Sequence, residues 1–140
     1  MEKRRVLFVC THNSARSQMA EGWLRRLAGD RFESHSAGTE VTAVRPLAVR
    51  AMAEAGVDIS GAESKTLERY IGQPWDYVVT VCDQAAESCP IFPGGGRRLH
   101  WSLPDPSKAE GSEEERLDVY RQVRDHVRAE VEALVRDGTP

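Results

Sequence analysis

The run Val6-Leu7-Phe8-Val9 is apolar at every position and built from residues that favour strands. A strand with no polar face belongs inside a parallel sheet, covered on both sides. The period then changes. From Ser17 to Ala28 the apolar residues Met19, Ala20, Trp23, Leu24 and Leu27 recur at spacings of three and four, which predicts a helix, and Gly29 stands where a left-handed C-cap would end it. Phe32 to Ala37 predicts a second, weaker strand. Pro46 sits where a first-turn proline is tolerated, ahead of Leu47, Val49, Ala51 and Met52, with Gly56 closing that helix. Tyr77 to Val81 is another continuous apolar run, ending at Cys82, and Arg97 to Trp101 predicts a short fourth strand after the turn residues Pro93-Gly94-Gly95-Gly96. Ser112 and Glu115 have the spacing of a capping box before a long amphipathic helix whose apolar stripe is Leu117, Tyr120, Val123, Val127, Val131 and Leu134.

This alternation predicts an α/β protein, a single domain over residues 1–140 with a doubly wound sheet of about four parallel strands flanked by helices. Ligands of such sheets bind beyond the carboxyl ends of the strands. Cys10 ends the first predicted strand and Cys82 the third, so the pattern alone draws attention to two thiols.

Composition narrows the classes. The chain has 140 residues, 40% hydrophobic and 29% charged, which suits one buried core and excludes disordered and collagen-like chains. The net charge is −3, with 16 Arg against 3 Lys and no long basic run, so no nucleic-acid partner is expected. Lys3, Arg4 and Arg5 precede only five apolar residues, too few for an export segment. Nothing approaches the roughly 20 apolar residues that cross a bilayer, and a cytoplasmic protein without a membrane partner is expected. Three cysteines are too few, and odd in number, for the disulfide framework of a small secreted domain. Reactive or buried thiols in a reducing compartment are the reading that remains.

Thr11, His12, Asn13, Ser14, Ala15, Arg16 and Ser17 follow Cys10 directly, on a loop that feeds into the first helix. Successive N–H groups in such a loop, together with the helix dipole, make an oxyanion site. Arg16 supplies a planar fork able to grip two oxygens of a tetrahedral anion. The same field favours Cys10 as a thiolate, the nucleophilic form, with Ser17 placed to donate to it. A lone cysteine ending a buried strand is otherwise a small core residue; the arginine six positions on, between strand and helix, favours the chemical role.

Val6 through Gly22, with the Cys10-Thr11-His12-Asn13-Ser14-Ala15-Arg16-Ser17 loop at its centre, resembles the opening of the low-molecular-weight protein tyrosine phosphatase superfamily, and most closely its thioredoxin-coupled arsenate reductase branch. The resemblance extends over nearly the whole chain through Val79-Thr80-Val81-Cys82 to Cys89-Pro90 and His100-Trp101-Ser102-Leu103-Pro104-Asp105-Pro106. The cysteine pair seven residues apart separates the branches, because a phosphatase has no need of it.

The resemblance implies a reduction of arsenate to arsenite. Cys10 attacks arsenic, Arg16 and the loop hold the oxygens, and Asp105 is the acid. Cys82 then attacks Cys10 to form a Cys10–Cys82 disulfide, and Cys89 moves it to a Cys82–Cys89 pair that thioredoxin reduces. No bound cofactor is implied, and thioredoxin is the external reductant; phosphate and sulfate are competing oxyanions. The alternative is a phosphatase that hydrolyses phosphate monoesters with Cys10, Arg16 and Asp105. Singly, Cys82 also reads as a buried strand-end residue, Cys89 as an incidental thiol and Asp105 as a turn former. Asp83 to Ser88 reads as a helix turn or a loop that rearranges as the disulfide migrates.

Two departures from the family pattern stand out. His12 occupies a position usually held by glycine: either the backbone there tolerates a side chain, or His12 adds a donor near the anion. Some relatives hold a potassium ion behind the loop, through groups corresponding to Asn13, Glu21, Ser36 and an acidic residue at the place of Lys65. The charge reversal at Lys65 suggests that its ammonium takes the ion's place; the plainer reading is a solvated lysine. His35, His100 and His126 lie on different elements without ligand spacing, and no metal site is inferred.

Overall fold

The computed structural model describes residues 3–83, 91–94 and 96–137. Four strands, β1 (Arg4–Cys10), β2 (Phe32–Gly38), β3 (Tyr77–Thr80) and β4 (Arg97–His100), form one sheet in the order β2-β1-β3-β4. Every pairing is parallel. The chain winds outward from β1 to β2, returns across it to β3, and continues to β4. The order therefore reverses beside β1, and the crevice outside the carboxyl end at such a reversal is where open α/β sheets bind ligands.

β1 has no polar face because both faces are buried. Val6 and Phe8 pack into the larger core with helices α1 (Arg16–Ala28), α2 (Pro46–Glu54) and α3 (Glu113–Asp137), all on one side of the sheet. Leu7 and Val9 belong to a smaller core with Ala37, Leu67, Tyr70, Trp75, Val78 and Phe92. Among the described residues that second face is covered by a 3-10 turn (Leu67–Tyr70) and the segment after it rather than by an α-helix.

The expected stripe of α3 is buried at all six positions. Its start is the reciprocal pair foreseen from spacing: the Ser112 N–H donates to Glu115 Oε1 (3.2 Å), and the Glu115 N–H donates to Ser112 Oγ (3.1 Å). Pro46 opens α2, and Gly56 follows it at φ +83°, a left-handed turn suited to glycine.

Gly29 does not take the left-handed conformation expected of it. It follows α1 at φ −63° and ψ −16°, still right-handed. The need for glycine is steric: a Cβ there would lie 2.5 Å from the Arg25 carbonyl oxygen. Smaller differences concern ends, since α1 begins at Arg16, β2 runs on to Gly38, β3 stops at Thr80 and β4 at His100. Trp23, Trp75 and Trp101 all pack, with Trp101 beside Phe8 at 5.5 Å between ring centroids.

Candidate active site

β1 delivers Cys10 to the carboxyl edge of the sheet, and the loop 11–15 turns into α1. The turn is made at Asn13, whose φ of +49° is the only positive value at a non-glycine among the described residues. Asn13 and Ser17 converge on the thiol, which is buried and free. The Asn13 N–H donates to Cys10 Sγ at 3.2 Å, and Ser17 Oγ lies 2.8 Å from it. Asn13 Nδ2 donates to Ser17 Oγ at 2.8 Å, so the serine hydroxyl links the asparagine amide to the sulfur. The sulfur thus has a backbone N–H and a hydroxyl in direct contact.

Behind the helix start the electrostatics favour an anion. Ala15 precedes α1 with no side-chain cap, and the first turn of α1 carries no acidic residue, whereas α3 has three glutamates there. The positive end of the α1 dipole is therefore not neutralised by its own sequence.

Gly38 makes room for the loop. It ends β2 opposite Cys10 in the register. A Cβ at Gly38 would lie 2.8 Å from the Asn13 nitrogen and the Thr11 oxygen and 2.9 Å from the Cys10 oxygen. This residue was not singled out from sequence, although an isolated glycine at a strand end is a sign of close backbone approach. The outer wall is tied back by Glu40 N–H to the Thr11 carbonyl and by Arg45 N–H to the Ser14 carbonyl.

Arg16 is buried; one of its nitrogens donates to the Leu103 carbonyl at 3.1 Å, and another lies 3.8 Å from Asp105 Oδ2. Asp105 Oδ1 accepts from the N–H and hydroxyl of Ser107, at 3.0 and 2.7 Å. Half-burial by itself raises the Asp105 pKa, but the two Ser107 donors, with Arg16 and Lys108, outweigh it and hold the carboxyl below the usual range. His12 turns outward to Glu40, 3.2 Å away, while its carbonyl accepts from Thr42 and Ser64. The backbone at this position thus carries a side chain that faces away from the thiol.

Cys82 is fully buried and disulfide-bonded. It follows β3, the hydrogen-bonded neighbour of β1, and the Val81 N–H donates to the Val9 carbonyl at 2.9 Å. Cys10 and Cys82 therefore come one residue after two residues joined by a backbone hydrogen bond, at the ends of strands that run about 4.8 Å apart. Cys89 lies outside the described residues, as does most of the Asp83–Ser88 segment.

The four cation-site candidates meet behind the loop. Lys65 Nζ lies 3.3 Å from Glu21 Oε1 and donates to the Glu63 carbonyl at 3.0 Å; it is only 7% exposed. Ser36 donates to the same Glu21 oxygen at 2.8 Å, and the Lys65 N–H donates to Asn13 Oδ1 at 2.8 Å. Lys65 is thus a buried lysine and not a solvated one.

Comparison with known proteins agrees with this architecture. A curated arsenate reductase of Halalkalibacterium halodurans is 45% identical over 138 residues, covering 99% of both chains. A solved structure described as an arsenate reductase in the oxidized state superposes with a TM-score of 0.82 at 33% identity, over 97% of this chain and 99% of the other. The thioredoxin-dependent arsenate reductase of Corynebacterium glutamicum superposes with a TM-score of 0.68 at 29% identity, over 96% of this chain and 63% of the other. Residues 5–137 match the model of the low molecular weight phosphotyrosine protein phosphatases, and the chain, with a cysteine at the end of β1 and an arginine at the start of α1, belongs to that family.

Proposed function

We propose that the protein is an arsenate reductase recycled by thioredoxin. The observation that carries this reading is the placement of two buried cysteines, one in an anion loop, at the ends of adjacent hydrogen-bonded strands. Arsenate and phosphate share shape and charge, so the loop does not choose between them; the second thiol does. The Cys10 thiolate attacks arsenic in line while Arg16 and the loop N–H groups hold the oxygens. With the monoanion of arsenate, one proton from Asp105 lets an oxygen depart as water and leaves a Cys10–S–As(V) adduct. The carboxyl holds its proton poorly in the open site, and the negative charge of a bound oxyanion, which also engages Arg16, raises its proton affinity when the acid is needed.

Cys82 then attacks Cys10 Sγ. The S–As electron pair passes to arsenic, which leaves as arsenite, two electrons richer, and the two sulfurs are joined. Phosphorus(V) has no such reduction open to it. Cys89 next displaces Cys10 from Cys82, and the dithiol of thioredoxin reduces the resulting Cys82–Cys89 disulfide. Phosphate and sulfate compete for the loop, and a thiol relay of this kind works in a reducing compartment, the cytoplasm. No helix among the described residues is long and apolar enough to cross a membrane.

The anion loop, Arg16 and Asp105 are complete without Cys82, so the site also supports slow hydrolysis of phosphate monoesters. The test runs arsenate-dependent oxidation of reduced thioredoxin beside aryl phosphate hydrolysis, in wild type and Cys82→Ser. The variant is expected to lose the first and keep the second. A wild type that hydrolyses the ester and never oxidises thioredoxin is a phosphatase.

Lys65 takes the place of a metal cation behind the loop. Its ammonium already sits against the Glu21 carboxylate and the Glu63 carbonyl, so the residues present do not fit a separate positive ion there.

A further inference from the structure

Gln18 has no part in the reaction above, yet it is 1% exposed and stands between the anion loop and the segment that carries Lys65. Its Nε2 lies within donating distance of three acceptors: Asn13 Oδ1 (2.9 Å), the Asn13 carbonyl (3.2 Å) and the Glu63 carbonyl (2.8 Å). A primary amide has two N–H groups, so one is shared. The other end of the same amide is abandoned: Gln18 Oε1 is the one buried side-chain oxygen or nitrogen among the described residues with no hydrogen-bond partner. Turning the amide over would satisfy nothing, because an oxygen would then face three acceptors. A buried orphan acceptor is costly, and native proteins keep one where its geometry serves something else.

What the amide serves is Asn13. That residue holds a left-handed conformation, which asparagine adopts more readily than most side chains but far less freely than glycine, and such a turn is kept where the surroundings over-determine it. Gln18 grips Asn13 by both its main-chain and side-chain carbonyls. The grip leaves the two donors of Asn13 aimed forward, its N–H at Cys10 Sγ and its Nδ2 at Ser17 Oγ, which touches the same sulfur. We infer that Gln18 is a positioning residue that locks the left-handed turn at Asn13 and thereby aims one hydrogen-bond donor at Cys10 and a second at the Ser17 hydroxyl beside it. The inference rests on Cys10 being the nucleophile of the loop.

The test measures the rate at which iodoacetamide alkylates Cys10 near neutral pH, with inorganic phosphate as a protecting ligand. Gln18→Met keeps the length and apolar packing of the side chain and removes its donors. It is expected to slow alkylation about tenfold, the size of one lost hydrogen bond to a charged group. Gln18→Glu, which replaces the donor by an oxygen, gives the same direction and serves if the methionine variant does not fold. The discriminating measurement is the double variant with Asn13→Gly, because glycine adopts the left-handed turn without a lock. Once Asn13 is glycine, adding Gln18→Met should change the rate by no more than about twofold, a failure of additivity that a merely packing role would not produce. A wild-type rate in both Gln18 variants, or a further tenfold loss in the double variant, overturns the inference. A wild type that phosphate does not protect instead overturns the reading of the loop as an anion site.

Discussion

Asp105 carries opposed demands on one carboxyl. Ser107 and Arg16 hold it ionised, and the proposed acid role requires a proton. The first demand has a consequence for stability. Because its folded pKa lies below the unfolded value of about 3.9, the unfolded chain binds the proton first as pH falls. The stabilisation is therefore fully present above about pH 4 and is lost as pH falls through the folded value. Thermal unfolding should show a Tm advantage of wild type over Asp105→Asn near neutrality that shrinks below about pH 4. Lys65 makes a second prediction at this scale. An ammonium built into the site leaves no role for potassium, so turnover in potassium and in sodium chloride of equal strength should agree; marked activation by potassium would refute the replacement. Residues of this kind were legible to different degrees. Cys10, Arg16 and Ser17 were readable because they follow one another from the end of β1 through one short loop into the first turn of α1. The demand on Gly38 and Gln18 was not, because it comes from carbonyls and amides brought close only by the fold. Gly29 was misread because glycine answers to crowding as well as to left-handed backbone.

Elements were more legible than residues where a single periodicity dominates. The stripe of α3 survives intact because one face of a 25-residue helix meets the core along its length. Its cap is a local affair: Ser112→Ala should cost about 1 kcal/mol, or about 3 °C in Tm, with arsenate turnover unchanged. Gly38 is the contrasting case, a strand end whose neighbour is the loop itself. Gly38→Ala would press a methyl group onto three backbone atoms of the loop, costing roughly 1–3 kcal/mol. The displaced loop should also lose roughly tenfold or more in arsenate turnover, since the donors around Cys10 no longer converge. A calorimetric scan beside the thioredoxin-coupled assay separates the two cases, for one variant loses stability alone and the other loses both. Strand ends were the least legible feature, because the apolar run Tyr77 to Val81 continues past the last paired residue of β3.

Over the whole molecule, the alternation of strands and helices was sufficient for a parallel sheet, while the order β2-β1-β3-β4 was not readable from any segment alone. That order is what makes the two cysteines neighbours, since β1 and β3 are separated by most of the first half of the chain yet adjoin in the sheet. Adjacency has a kinetic meaning. In the proposed relay the second thiol need not diffuse to the adduct, and intramolecular reactions between well-oriented groups reach effective molarities of about 10⁵ M or more. Capture of the arsenic adduct would then compete well with its return to free arsenate. In that scheme the slow meeting is left to two separate proteins, and the pace would pass from the enzyme to the supply of its reductant.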